Sequence, residues 1–74
     1  MELADALHSI GRALQRRRLL TGLSQDKFAD QIGMHRAYYG ALERGQQNLT
    51  LATLLKVCGG LGVDASTILR EASL

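Results

Sequence analysis

Seventy-four residues with 46% hydrophobic content make one domain, near the lower size limit for folding without staples, and leave no room for a separate catalytic domain. Three aromatic residues and no proline disfavour a β-sandwich, so the expected fold class is all-α. A net charge of +2 says little by its total, but residues 12–44 hold seven Lys/Arg against Asp26, Asp30 and Glu43, a local balance of +4 between neutral or acidic flanks.

The N-terminus, MELADALHSI, carries acids and lacks the basic start and long apolar run of a signal peptide. No apolar run approaches the ~18 residues needed to span a bilayer. A single cysteine cannot form an internal disulfide. The expectation is a soluble, untargeted chain in a reducing cytoplasm, with no membrane partner.

In chain order, Leu3, Leu7, Ile10 and Leu14 recur at helical spacing, with Arg12 and Arg16 on the other side, which predicts a first helix from about Asp5 to Thr21. Gly22 can supply the left-handed residue that ends it. Arg18 lies four residues beyond Leu14, so it carries a charge into the apolar stripe and needs a carboxylate partner.

Leu23 then enters the core, and Ser24 is a good N-cap for a second helix from about Gln25 to Ile32. Phe28, Ala29 and Ile32 face inward, and Asp26 sits near the positive end of the helix dipole. Gly33 permits a tight turn. A third helix is expected over about His35 to Arg44, stopped by Gly45. There Tyr39 and Leu42 share a face with Glu43, the natural partner of Arg18, while Arg36, Ala37, Gly40, Ala41 and Arg44 form the outward strip.

The polar loop QQNL leads to Thr50, the expected cap of a fourth helix whose Leu51, Leu54, Leu55, Val57, Cys58 and Leu61 make a broad apolar face. Gly59 and Gly60 cost roughly 1 kcal/mol each relative to alanine in a helix, so its end is expected to fray. Asp64 can cap a last helix through about Glu71, with Ile68 and Leu69 inward or at a partner. No repeat, low-complexity segment or linker interrupts a single domain over residues 1–74, with a helix-turn-helix at about 24–45.

The stretch GLSQDKFADQIGMHRAYYGALERG resembles the helix-turn-helix of the lambda repressor and Cro family: Gln25 starts the second helix, Ala29 follows, Gly33 lies in the turn, and Leu42 with Glu43-Arg44-Gly45 closes the recognition helix. The similarity extends to IGRALQRRR and LTLATLLKVCGGLGV, about residues 10 to 69. Two positions depart from the family pattern. Tyr39 stands where a β-branched aliphatic residue is usual, and Gly59-Gly60 replaces better helix formers. The segment RAYYGALERGQQNLTL is most similar to the controller proteins of restriction-modification systems, small dimeric regulators of about this length. The resemblance implies a compact five-helix, lambda-repressor-like domain that binds double-stranded DNA and regulates transcription.

The residues support DNA reading independently. A major groove admits one α-helix, and an arginine near the N-terminus of that helix can give guanine O6 and N7 two hydrogen bonds. Arg36 has the right type and position, while Ala37, Gly40 and Ala41 are short enough to let the axis come close to the bases. The bland role for Gly40 is close contact with the first or fourth helix. His35 is placed to donate to a phosphate or base edge, its plain alternative being a solvated side chain. Phosphate contacts are expected from Gln25, Tyr38, Arg44, Gln46, Gln47 and Asn48, with Gln25 and Asn48 at positions the family uses; simple solubility is the alternative for the QQN loop. Arg12, Arg16 and Arg17 read chiefly as a solvated helix face, the alternative being that one of them faces the DNA backbone.

Asp26 and Asp30 share one side of the second helix, where the lambda repressor carries acidic residues that touch RNA polymerase. The resemblance thus implies a polymerase contact, against the alternative of dipole placement and solubility. One such domain contacts few base pairs, so a homodimer is expected, and Val63, Ile68, Leu69 and Leu74 either form its interface or complete the monomer core.

No nucleophile has a neighbouring base, no carboxylates are paired for catalysis, and no glycine loop cradles phosphate, so no enzyme and no cofactor are expected. One cysteine and two distant histidines, His8 and His35, assemble no metal site. Cys58 reads as a filler of a small core site. The competing function is an antitoxin-like protein-interaction module on the same fold.

Overall fold

Helical spacing of the apolar residues, two hydroxyl caps and glycine breaks produce five helices and no strand in the computed structural model, which describes all 74 residues. They are α1 (Leu3–Thr21), α2 (Gln25–Gln31), α3 (Arg36–Glu43), α4 (Leu51–Leu61) and α5 (Ala65–Glu71). The 19-residue α1 is the spine against which α3, α4 and α5 pack, while α2 packs on α3 and α4 on α5. No single helix is long and apolar enough to cross a membrane.

The expected caps form where hydroxyls are available. Ser24 Oγ accepts from the Lys27 amide and Thr50 Oγ1 from the Thr53 amide, each at 3.1 Å, satisfying one of the free donors at each helix start. Asp64 occupies the N-cap position of α5 without a side-chain bond. Gly22 ends α1 in the left-handed region, as its place after the apolar stripe requires.

Leu14, Phe28, Tyr39, Val57, Cys58 and Ile68 are fully buried and draw one side chain or more from every helix into a single core. Tyr39 replaces the usual branched aliphatic residue by laying its ring against Phe28, centroids 5.1 Å apart at 59°, an arrangement aromatic quadrupoles favour. A second tie closes the surface: Arg17 on α1 forms a two-pronged ion pair with Glu71 at the end of α5.

Three sequence expectations are corrected by packing, and the alternative left open for Ile68 is decided. Leu3 is 66% exposed, because the apolar contact of α1 begins further along its stripe. Leu54, Val57 and Cys58 turn α4 into the core, which leaves Leu51 and Leu55 exposed on the outer part of the same apolar face. The Gly59-Gly60 pair does not fray: α4 continues to Leu61, and a Cβ on Gly60 would overlap Ile32 Cγ2 and crowd Phe28 Cζ at 3.2 Å. Glycine there lets α4 approach the end of α2. Ile68 is wholly inside the monomer core and is not available for a dimer interface.

Gly11 has the same kind of role on α1, where a Cβ would overlap the backbone carbonyls of Leu42 and Glu43. A backbone neighbour cannot rotate aside as a side chain can. Gly11→Ala should therefore destabilise the protein by about 1–3 kcal/mol or more through overpacking, read from urea unfolding, despite alanine's better helix propensity.

Candidate nucleic-acid interface

The angle between α2 and α3 is set from the inside. Phe28 and Ala29 on α2 and Tyr39 and Leu42 on α3 are buried together, and the Met34 amide donates to the Ala29 carbonyl at 2.9 Å across the turn. A left-handed Gly33 (φ +67°) makes that turn without a Cβ penalty.

A buried polar cluster then locks both helices to α1. Glu43 Oε2 accepts from Arg18 Nε at 2.7 Å, and Glu43 Oε1 accepts from Arg18 Nη2 at 3.1 Å and from Gln25 Nε2 at 2.7 Å. Arg18 Nη1 donates in turn to the Leu23 carbonyl at 2.8 Å, so the chain leaving α1 is held by the same guanidinium. Burial by itself would raise the Glu43 carboxyl, but hydrogen bonds from Arg18 and Gln25 outweigh it and hold the group below its ordinary range. The Glu43 hydrogen bond raises Arg18 in turn. The Tyr39 hydroxyl is buried beside this pair without a hydrogen-bond partner, and burial first, then its proximity to Glu43, keeps it protonated well above the ordinary tyrosine value.

With this anchoring inside, Arg36 and Ala37 remain exposed on the outer surface of α3, and His35 is an exposed residue at its N-cap position with no side-chain cap bond. Arg36 is not unengaged: its Nη1 donates to Asp26 Oδ2 at 2.7 Å, with both side chains largely exposed. Asp30 is exposed and has no ion-pair partner. Arg44 donates through Nε to Gln46 Oε1 at 2.9 Å, and Gln47 and Asn48 continue this polar rim into the loop after α3.

Several expectations about this surface change. Ala41 is only 8% exposed, so it belongs to the interior rather than to a base-reading strip. Gly40 is also covered, by the side chains of Gln25 and Arg44: a Cβ there would stand 3.3 Å from Gln25 Oε1 and 3.2 Å from Arg44 Nη1. Its missing side chain makes room for these two polar groups, not for α1 or α4. Tyr38 is half-buried against the core, and Gln25 spends an amide donor on Glu43, so both are less free for phosphate than their positions suggest. Asp26, read as a polymerase contact, is engaged by Arg36. The Arg36–Asp26, Gln25–Glu43 and Arg17–Glu71 contacts escaped the sequence reading, because they join helices whose relative rotation no local pattern reveals. No group of three or more His, Cys, Asp or Glu side chains converges to hold a metal ion.

The helix-turn-helix family model matches residues 14–68, spanning this whole arrangement. The chain belongs to the helix-turn-helix family. Among helix-turn-helix relatives, the control protein C.MunI of a Mycoplasma species is 41% identical over 51 residues, 69% of each chain. The crystal structure of the restriction-modification controller protein C.AhdI from Aeromonas hydrophila matches with a TM-score of 0.77 at 36% identity, covering 89% of this chain and 94% of that one. The clp gene regulator ClgR from C. glutamicum matches with a TM-score of 0.87 at 27% identity, covering 99% and 90%. This helix-turn-helix protein is a DNA-binding transcription regulator, from a family of regulators rather than of enzymes.

The buried pair gives this helix-turn-helix a defined pH dependence. Because Glu43 titrates lower in the folded than in the unfolded chain, its stabilisation is complete above the ordinary value of 4.5 and is lost as pH falls through the folded value. The melting temperature should decline below that pH, and Glu43→Gln should lack this component of the decline. At neutral pH, Glu43→Ala strands the Arg18 charge and should cost about 3–5 kcal/mol in urea unfolding, whereas a double Arg18→Met, Glu43→Leu protein should keep more stability than either single variant.

Proposed function

We propose that this chain is a dimeric controller of restriction-modification genes that reads DNA by seating α3 in the major groove. The observation that carries this reading is Arg36, at the first residue of α3, with its side chain 71% exposed beside the short Ala37. A guanidinium at a helix N-terminus can reach base edges, and the small neighbour lets the helix axis come near them. His35 borders this site. Arg44, Gln46, Gln47 and Asn48 supply exposed donors along the rim where the phosphate backbone would pass, fixing register without reading sequence. The likeness to C.MunI and C.AhdI supports the assignment to restriction-modification control.

So narrow a reading surface calls for two half-sites. A second copy of the chain is proposed to dock on the uncharged outer strip of α4, Leu51, Ala52, Leu55 and Gly59, continued by Val63, Leu69 and Leu74 of the C-terminal segment. Leu51 and Leu55 are 68% and 54% exposed, at i and i+4 on a helix whose Leu54, Val57 and Cys58 face the core.

Selection from random duplex DNA should enrich inverted repeats with half-site centres about 34 Å apart, bound with affinity that falls steeply with salt. Arg36→Ala should abolish preference for a guanine in each half-site, a loss of about 1–3 kcal/mol of discrimination. Failure of the parent protein to enrich any motif would sink the regulator reading and favour a protein-interaction module. Light scattering should show a dimer for the parent protein and a monomer for Leu55→Asp, which should also lose its preference for two half-sites over one.

A further inference from the structure

The Arg36–Asp26 ion pair has no evident structural need. The α2–α3 angle is already determined by Phe28 against Tyr39 and by the bonds that Gln25 and Arg18 make to Glu43. An ion pair as exposed as this one, with side chains 71% and 60% accessible, contributes only about 0–1 kcal/mol to folding. Its effect falls instead on the arginine.

A guanidinium is a planar fork of five N–H donors, and Arg36 uses only Nη1 within the chain. The edge formed by Nε and Nη2 is left open, and two adjacent donors on one edge match the O6 and N7 acceptors of guanine. A long, free arginine loses rotamer freedom when it binds, whereas one already held at Nη1 has lost part of it beforehand. The tether itself is stiff. Asp26 has a short side chain in the first turn of α2, and α2 is packed on α3 through buried Phe28 and Ala29.

The carboxylate also distinguishes between the two kinds of acceptor that DNA offers. A guanine can take the open edge while the Asp26 bond persists. A phosphate that draws the guanidinium outward must break that bond and leave an uncompensated carboxylate close to a second anion, which like-charge repulsion opposes. We propose that Asp26 is a positioning residue for DNA recognition, holding Arg36 so that its free edge reads guanine and discouraging its use as a non-specific phosphate anchor. This rests on the reading of α3 as the base-reading helix.

The test uses the full chain and duplexes derived from its selected site, with the guanine present or replaced, bound by the parent protein, Asp26→Ala, Asp26→Asn, Arg36→Ala and the Asp26→Ala, Arg36→Ala double variant. Asp26→Ala should lower the preference for guanine about tenfold, with tighter binding to the guanine-free duplex, and Asp26→Asn should lie between it and the parent. The melting temperature should stay nearly unchanged, and in the Arg36→Ala background Asp26→Ala should alter guanine preference no further. If Arg36→Ala loses guanine preference but Asp26→Ala keeps it, the positioning role is wrong while the reading of α3 stands. An equal effect of Asp26→Ala with and without Arg36 would likewise overturn it, and a parent protein that selects no guanine-containing site overturns both.

Discussion

Arg18 and Glu43 are the charged side chains buried in this small core, and the placement of the helix-turn-helix depends on their meeting. Glu43 ends α3, Arg18 is near the end of α1, and the bond from Gln25 brings the start of α2 to the same carboxylate. A charge pair buried in 74 residues contributes little net stability beyond what an apolar pair would give, since desolvation offsets most of the attraction. What it adds is direction. The two-pronged geometry tolerates one relative rotation of α1 and α3, and any other leaves a charge unpaired in a low-dielectric interior. Gly11 is the complementary condition, because only a residue without a Cβ lets α1 come against the carbonyls at the end of α3.

Once α3 is held in this way, its residues divide by depth. Tyr39, Ala41, Leu42 and Glu43 face inward, Gly40 lies beneath Gln25 and Arg44, and Arg36 with Ala37 is left outside. The positive charge of residues 12–44 divides in the same way: Arg18 is neutralised in the core, Arg17 is tied to Glu71, and Arg36 is turned to the surface, paired with Asp26. The proposed recognition surface is thus smaller than the count of basic residues suggests. In the proposed dimer, the exposed leucines of α4 would join two such surfaces, so that two copies cover what one cannot.

Much of this was legible in the residues themselves. Helical spacing and cap chemistry determined the five helices to within a few residues, because hydrogen-bonded turns and N-caps are local interactions whose partners lie three or four positions apart. The position of Arg18 on an apolar stripe demanded a carboxylate, and Glu43, on the apolar face of the third helix, was the candidate that met the demand. Arg36 stood out for its type and its place at a helix start. The matching pieces from the first to the fourth helix pointed to the helix-turn-helix family.

Tertiary structure decided which candidates share space. Whether Gly40 faced DNA, α1 or a pair of side chains depended on how far α2 rotates about α3, and Gly60 proved to be a point of contact with Ile32 and Phe28 rather than a weak helix end. Ala41 and Ile68 went to the core while Leu51 and Leu55 stayed outside, a division that an apolar pattern wider than the available contact leaves open. The pairing of Asp26 with Arg36 lay in the same class: ten residues apart across a turn, the two meet because of an interhelix angle set by the buried Phe28, Tyr39 and Glu43, and no local sequence rule encodes that angle.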